Sequence, residues 1–344
     1  MSEVVFILGA GASRHAGAPL MLDFLDRARQ LFAADPITEV GEDLKTVFSA
    51  ISNLQAVHSK SQLDLVNLET VFSAFEMAEL LGLAPAENSS PGKLTHAMRR
   101  LIAWTLKSST LIQFSGGTRQ RTAYQDFAQL ANKLKRATVI TFNYDVALDI
   151  AFSLLQIAYS YRIDDDALGI SLLKLHGSVN WFRCPQCSDI VPVSLHHPRT
   201  LLPADARISW TDFSSSTQHC GVPVSMADSI IVPPTWDKSA YRSSLVRVWK
   251  RAAKELAEAT NIFVSGYSLP ETDAFFRYLY GLGTVGGSLL KRFWVFDPDA
   301  EVHRRFRDLL GPGAKARFRA EPINFEGAIG LLQKELLDGD RAVL

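Results

Sequence analysis

The chain has 344 residues, 47% of them hydrophobic, and its 36 basic and 36 acidic side chains cancel to a formal net charge of zero. That length permits a substantial core and more than one lobe, while the charge balance excludes a general attraction to nucleic acid or to an anionic membrane. No apolar run reaches the ~20 residues needed to cross a bilayer, the first residues lack the positive region of a signal peptide, and three cysteines are too few for a disulfide framework; a soluble cytoplasmic protein is expected.

Residues 4–8, Val-Val-Phe-Ile-Leu, read as a first strand, and the turn Gly9-Ala10-Gly11-Ala12-Ser13 follows at once. From 17 to about 32, the apolar positions Leu20, Phe24, Leu25, Ala28 and Leu31 keep helical spacing. Three-to-four-residue apolar periodicity then predicts helices near 43–57, 64–83, 93–112 and 122–136, with no strand among them. Breakers at 84–92 and 115–117 separate several of these. Residues 31–136 therefore read as a helical insertion.

Strand and helix signals alternate again from Ala137. Strands are expected at 138–142, 170–175, 230–232, 262–265, 293–296 and 316–318. Helices are expected at 145–156, 240–259, from Glu271, at 299–310 and at 325–337. Residues 181–229 are polar and irregular, hold all three cysteines and read as a small lobe. Short apolar strands alternating with helices predict an α/β fold: a Rossmann-like, doubly wound parallel sheet built from 1–30, 137–180 and 230–344.

Ligands of such sheets sit where strands end, so the glycine turn, Asn143 and His176 are expected to converge on one crevice. The backbone N–H groups of the turn suit a diphosphate. It is not a dehydrogenase fingerprint, because Arg14 stands where the third glycine would fall and no acidic residue closes a second strand. Asn143 and Asp145 either orient a ribose hydroxyl, a water or a carboxamide, or merely cap the next helix. His176, directly before Gly177, is either a satisfied core histidine or a near-neutral base beside a residue that permits close backbone approach.

Taken together, these segments resemble the sirtuin family. Gly9-Ala10-Gly11-Ala12-Ser13, followed by Gly17-Ala18-Pro19, is similar to the family's Gly-Ala-Gly-x-Ser-x-x-x-Gly-Ile-Pro. Thr141-Phe142-Asn143-Tyr144-Asp145 resembles its Thr-Gln-Asn-Ile-Asp, and His176-Gly177 its catalytic His-Gly. Gly266-Tyr267-Ser268-Leu269 is similar to its Gly-Thr-Ser-Leu, and Asp297 follows a strand where the family has a ribose-binding Asn. The spellings Leu175-His176-Gly177-Ser178-Val179-Asn180-Trp181 and Val232-Pro233-Pro234-Thr235-Trp236 look more like the bacterial sirtuin-like proteins of antiviral defence.

The resemblance implies a sirtuin-like fold with NAD as substrate. Gly9, Ala10, Gly11, Ser13 and Pro19 would serve the diphosphate side, Asp145 the carboxamide, and Gly266, Ser268 and Asp297 the adenosine side. Asn143 would position ribose or water, and His176 would act as base. A homo-oligomer is implied, as is a regulatory protein partner such as a defence ATPase. The family's zinc ribbon needs two Cys-x-x-Cys pairs; here Cys184 and Cys187 form one, and Thr217 replaces a thiolate in the second. Cys184, Cys187, His219 and Cys220 would still make a three-sulfur, one-nitrogen zinc site, the alternative being a loop without metal. Residues 233–238 either wall the nicotinamide side or form a rigid surface loop. After Pro19 a deacetylase reads Asp-Phe-Arg, whereas here Asp23-Phe24 comes three residues late. That departure weighs against protein deacylation and leaves hydrolysis by water open. The expected activity is NAD hydrolysis to nicotinamide and ADP-ribose in antiphage defence, with NAD-dependent deacylation or non-catalytic NAD or ADP-ribose sensing as alternatives.

Overall fold

The computed structural model describes residues 4–36, 38–56, 65, 67–83, 92–115, 122–163, 168–193, 195, 205–208, 217–225, 228–232, 242–271, 273–284 and 289–338. Seven strands make one sheet: β1 (Val4–Leu8), β2 (Ala137–Thr141), β3 (Tyr159–Ser160), β4 (Ile170–Lys174), β5 (Asn261–Ser265), β6 (Arg292–Phe296) and β7 (Phe318–Glu321). Their order is β7-β6-β5-β1-β2-β4-β3, and every neighbouring pair is parallel. The chain leaves β1 for one half of the sheet and returns to the other side of β1 with β5. That reversal of strand order defines the doubly wound fold and opens a crevice beyond the carboxyl ends of the strands.

All five residues of β1 are buried, because helices cover both faces. Val4, Phe6 and Leu8 face a core shared with α2 (Phe24–Ala34), α3 (Gly41–Ala56), α4 (Leu68–Leu80), α5 (Lys93–Ser109), α6 (Ala123–Lys133), α7 (Ala147–Leu154) and α12 (Phe325–Gln333). Val5 and Ile7 face the opposite core, built on α8 (Arg242–Glu258), α9 (Ala274–Gly283) and α10 (Ala300–Leu309). Among the described residues the other α-helical segments are two four-residue turns, α1 (Ala10–Ser13) and α11 (Pro312–Lys315), and a π-helical turn at Lys334–Asp338 extends α12. Burial of each large aliphatic or aromatic side chain in these layers contributes roughly 1.5–3 kcal/mol. Among the described residues no helix is long and apolar enough to cross a membrane.

Several expected boundaries shift for local reasons. The helix expected over 17–32 begins only at Phe24: α1 and a 3-10 turn at Arg14–Ala16 come first, and Gly17 ends that turn in the left-handed region at φ 87°. The helix expected over 93–112 stops at Ser109, and Ile112–Ser115 pairs antiparallel with Asp205–Ile208, a strand pair absent from the sequence reading. Residues 230–232 do not join the sheet; Ile231 forms one antiparallel bridge to Gly177 instead. The short edge strand β3 was not expected either. In the small lobe Trp181–Arg183 pairs with Ile190–Pro192, and Gln218–His219 with Val222–Pro223. A separate cluster of Phe182, Cys184, Val191, Val193 and Val224 lies under these hairpins.

Candidate active site

Two glycine turns interlock where the strand order reverses. The Gly9 amide donates to the carbonyl of Ser265 at 3.2 Å, and the Gly11 amide to that of Gly266 at 2.9 Å. Gly266 has φ +65°, and a Cβ there would lie 2.2 Å from the Ala12 nitrogen. A Cβ on Gly9 would lie 2.5 Å from the Gly266 oxygen. These glycines thus bring β1 and β5 into backbone contact, which no larger residue permits.

The turn at 9–13 also receives the segment after β2. Asn143 is buried, and its Nδ2 donates to the Gly9 carbonyl at 2.8 Å and to Ser13 Oγ at 2.9 Å. Ser13 Oγ lies 2.7 Å from the hydroxyl of Tyr124 on α6 and hydrogen-bonds the Asp145 carboxylate. Burial and the nearby Asp145 raise the Tyr124 phenol well above its ordinary range, so it stays protonated. His15 packs against the Tyr124 and Phe325 rings at 4.8 and 5.8 Å, and burial lowers its pKa. Asp145 Oδ1 accepts from the Ala147 amide at 2.9 Å, just before α7, but the N-cap residue of that helix is Val146, so neither Asp145 nor Asn143 holds the cap position. Burial raises the pKa of Asp145, with Lys174 and the Ser13 bond opposing it.

His176 follows β4 by two residues, next to the end of β2. Its carbonyl accepts from the Val232 amide at 2.7 Å, and Trp249 Nε1 fixes the preceding Leu175 carbonyl at 2.8 Å. The imidazole sits edge-on to Phe142, with centroids 5.1 Å apart, and 6.1 Å from the Tyr144 ring. Asn143 lies between those two aromatics in the chain. Nε2 of His176 lies 3.7 Å from Asp273 Oδ2, and the Tyr267 hydroxyl donates to that oxygen at 2.7 Å. Tyr267 stacks on Phe142 at 3.9 Å, so the two glycine-crossing segments and the histidine share one aromatic floor. Gly177, at φ +81°, lets the Ile230 carbonyl approach to 2.2 Å from where a Cβ would be.

The remaining expected residues occupy the rim. Ala10 and Pro19 are partly exposed. Ser268 is exposed, and its carbonyl accepts from Arg305. Asp297 follows β6, accepts from the Asp299 amide at 2.9 Å, and has its pKa raised by burial. Phe24 is 3% exposed on the first turn of α2, committed to the core. Residues 233–238 lie outside the described residues.

Tyr124, Asp273 and Lys174 belong to this arrangement and were missed by the sequence reading. Tyr124 keeps the ordinary apolar spacing of α6, and Asp273 looks like the N-cap of α9. The one available signal is at Lys174, the single charged residue of its strand, with one residue between it and the His-Gly pair.

In the small lobe, the donor atoms of Cys184, Cys187, His219 and Cys220 all lie within 4.8 Å of one another. His219 Nδ1 is 3.5 Å from the Cys187 sulfur and 3.3 Å from that of Cys220. A tetrahedral zinc with bonds of about 2.0–2.3 Å places its ligands roughly 3.5–3.8 Å apart, so the set fits. Backbone N–H groups, that of Cys187 foremost, favour the Cys184 thiolate, while desolvation and a proton shared with the neighbouring thiols push the Cys187 thiol up. Each hairpin turn supplies two of the four ligands.

No protein-family model matches this chain, and no curated protein matches it. Among solved structures it is similar to a Sir2 homologue in complex with NAD, at 15% identity, covering 98% of this chain and 90% of that one with a TM-score of 0.41. It is also similar to a mutant Sir2 homologue in complex with ADP-ribose, at 16% identity, 98% and 93% coverage and a TM-score of 0.43. A third is Sir2Tm bound to a propionylated peptide, at 13% identity, 97% and 92% coverage and a TM-score of 0.40. At these values the fold assignment rests on strand order and register.

Proposed function

We propose that this protein is an NAD glycohydrolase that releases nicotinamide and ADP-ribose. The observation that carries the reading is the anchoring of Asn143 on Gly9 and Ser13, where the strand order reverses, with the rings of its chain neighbours Phe142 and Tyr144 against His176. Nicotinamide leaves a cationic nitrogen as a neutral pyridine, so the leaving group needs no proton and the carboxylic acid of ordinary glycosidases is dispensable. The site must instead hold the ribose, support an oxocarbenium-like carbon and deprotonate water. His176 takes the water proton, with Asp273 orienting the imidazole, a contribution typically worth ~100- to 10,000-fold. Asn143 positions water or ribose, and Asp145 holds the carboxamide. The turn at 9–13 with Pro19 lies along the diphosphate, and Gly266, Ser268 and Asp297 take the adenosine side. The balanced reaction is NAD⁺ plus water to nicotinamide, ADP-ribose and a proton.

A zinc ion at Cys184, Cys187, His219 and Cys220 would staple the small lobe and take no part in the chemistry. We further place the activity in bacterial antiphage defence by NAD depletion, restrained by homo-oligomerisation or by a partner such as an ATPase. The burial of Phe24 in α2 favours water as acceptor over an acylated peptide.

Chromatography of products from pure protein and NAD tests this reading. Nicotinamide and ADP-ribose should appear in equal amounts without any peptide, and Asn143→Ala and His176→Ala should each lose at least about 100-fold in rate with an unchanged circular dichroism spectrum. Release that requires an acetylated peptide would instead identify a deacylase. NAD binding without product would identify a sensor.

A further inference from the structure

His176 is the one side chain of residues 174–180 used in the mechanism above, yet three neighbours on that segment are polar and fully buried. Lys174 and Asp149 form an ion pair at 2.9 Å, with both side chains 1% exposed. Lys174 Nζ also donates to the carbonyl of Asp145 at 2.7 Å and to Ser178 Oγ at 2.8 Å. The Ser178 hydroxyl donates to Asn180 Oδ1 at 2.6 Å, and Asn180 Nδ2 to the Tyr161 hydroxyl at 2.9 Å and the Val193 carbonyl at 3.1 Å. Tyr161 donates to Asp149 Oδ1 and closes the ring.

A buried ion pair alone is weak grounds for function, since apolar replacements often serve as well. The partners of this ammonium are what distinguish it. One is the Asp145 carbonyl, two residues after Asn143, and another is the Ser178 hydroxyl, two residues after His176, so a single side chain joins both segments of the proposed site. The Val179 amide bond to the Tyr144 carbonyl, at 2.9 Å, runs alongside. The groups acting on the Asp145 carboxyl come from several elements: Ser13 on α1, Asp149 on α7 and Lys174 on β4. Asp145 in turn acts on His15 in the 3-10 turn and Tyr124 on α6. Lys174 supplies the positive charge in this set, because burial lowers the pKa of His15 and Tyr124 is a neutral phenol.

We propose that Lys174 is a positioning residue that locks the segment carrying Asn143 and Asp145 against the turn carrying His176, and that its ammonium, paired with Asp149 and bonded to the Asp145 carbonyl, also favours the ionised Asp145 carboxyl. This rests on the NAD-cleaving reading for its kinetic consequence, but not for its electrostatic one.

The test compares Asp149→Asn with the double variant Lys174→Met/Asp149→Asn. Lys174→Met alone would strand a buried carboxylate and risk unfolding, which the double variant avoids. Asp149→Asn also unpairs a buried charge, so its fold is first verified by circular dichroism; it keeps the bonds from Lys174 to Asp145 and Ser178, and nicotinamide release by the folded variant should stay within about threefold of wild type. The double variant should lose about 10- to 100-fold in kcat, with the KM for NAD changed less than about threefold. Its acid limb should move to higher pH than in Asp149→Asn. Carbon NMR of the Asp145 carboxyl, read without any substrate, should show it titrating at higher pH in the double variant. Identical carboxyl titration in the two variants overturns the proposal whether or not NAD is turned over; matching kcat and pH profiles in an active protein overturn it as well. Wild-type protein that leaves NAD intact would overturn the functional reading alone.

Discussion

Ser13 has one proton to donate and two acceptor sites, and it meets Asn143, Tyr124 and Asp145 at once. Such saturation explains how a carboxylate that is 6% exposed persists there. Its cost appears as pH dependence. Because burial raises the folded-state pKa of Asp145, the folded protein holds the proton more tightly than the unfolded chain. The contribution of this group to stability is therefore present below the unfolded aspartate value of about 3.9 and lost as pH rises through the raised value. Asp145→Asn removes that dependence. Denaturant midpoints taken across acid to neutral pH should show wild type losing stability relative to the variant as pH rises, and a constant difference would refute the assignment. At this scale the sequence was informative where a polar residue follows an apolar strand, as with Asn143 and His176. It was silent on Tyr124 and Asp273, because a tyrosine on an amphipathic helix and an aspartate before a helix have ordinary explanations, and their roles exist only through partners 111 and 97 residues away.

Among elements, the junction of β1 and β5 makes the sharpest demand. Gly266→Ala adds a Cβ 2.2 Å from a backbone nitrogen at φ +65°, so it should destabilise by more than the roughly 1–2 kcal/mol of left-handed strain alone. Gly313→Ala, with nothing within 4 Å of its Cβ, is the control. Thermal or chemical unfolding of both measures the contrast. The hairpins of the small lobe make a different demand, since their own core is five residues. Purified protein should carry about one zinc per chain, measured by elemental analysis. A strong chelator should lower the melting temperature, with zinc restoring it. A metal-free protein with an unchanged melt would remove the zinc. Periodicity located the central parts of most helices correctly, while α2 lost its first turn to Gly17 and the turns before it. The strand Ile112–Ser115 escaped notice because its partner, Asp205–Ile208, lies far along the chain and in a region without apolar alternation.

For the whole molecule, alternation of short apolar strands with helices was enough to read a doubly wound sheet. Strand order was not legible, because a run such as Val4–Leu8 carries no mark of which neighbours it will meet. Its centrality is a tertiary fact: β1 pairs with residues 137–141 on one side and 261–265 on the other. A chain truncated after residue 258, which loses β5, β6 and β7, should accordingly lack cooperative unfolding and resist proteolysis poorly beside the full protein. Limited proteolysis of the two distinguishes them.

That placement reaches back to the ribosome. β1 has only one flank to pair once residues 137–141 are made, and the other waits for residues 261–265, on the order of ten to fifty seconds after β1 itself at ordinary translation rates. Five wholly apolar residues with a bare edge are a template for misassociation during that wait. Newborn copies of this protein should therefore lean on holding chaperones, and polysome crowding should set its yield more than the stability of the finished fold.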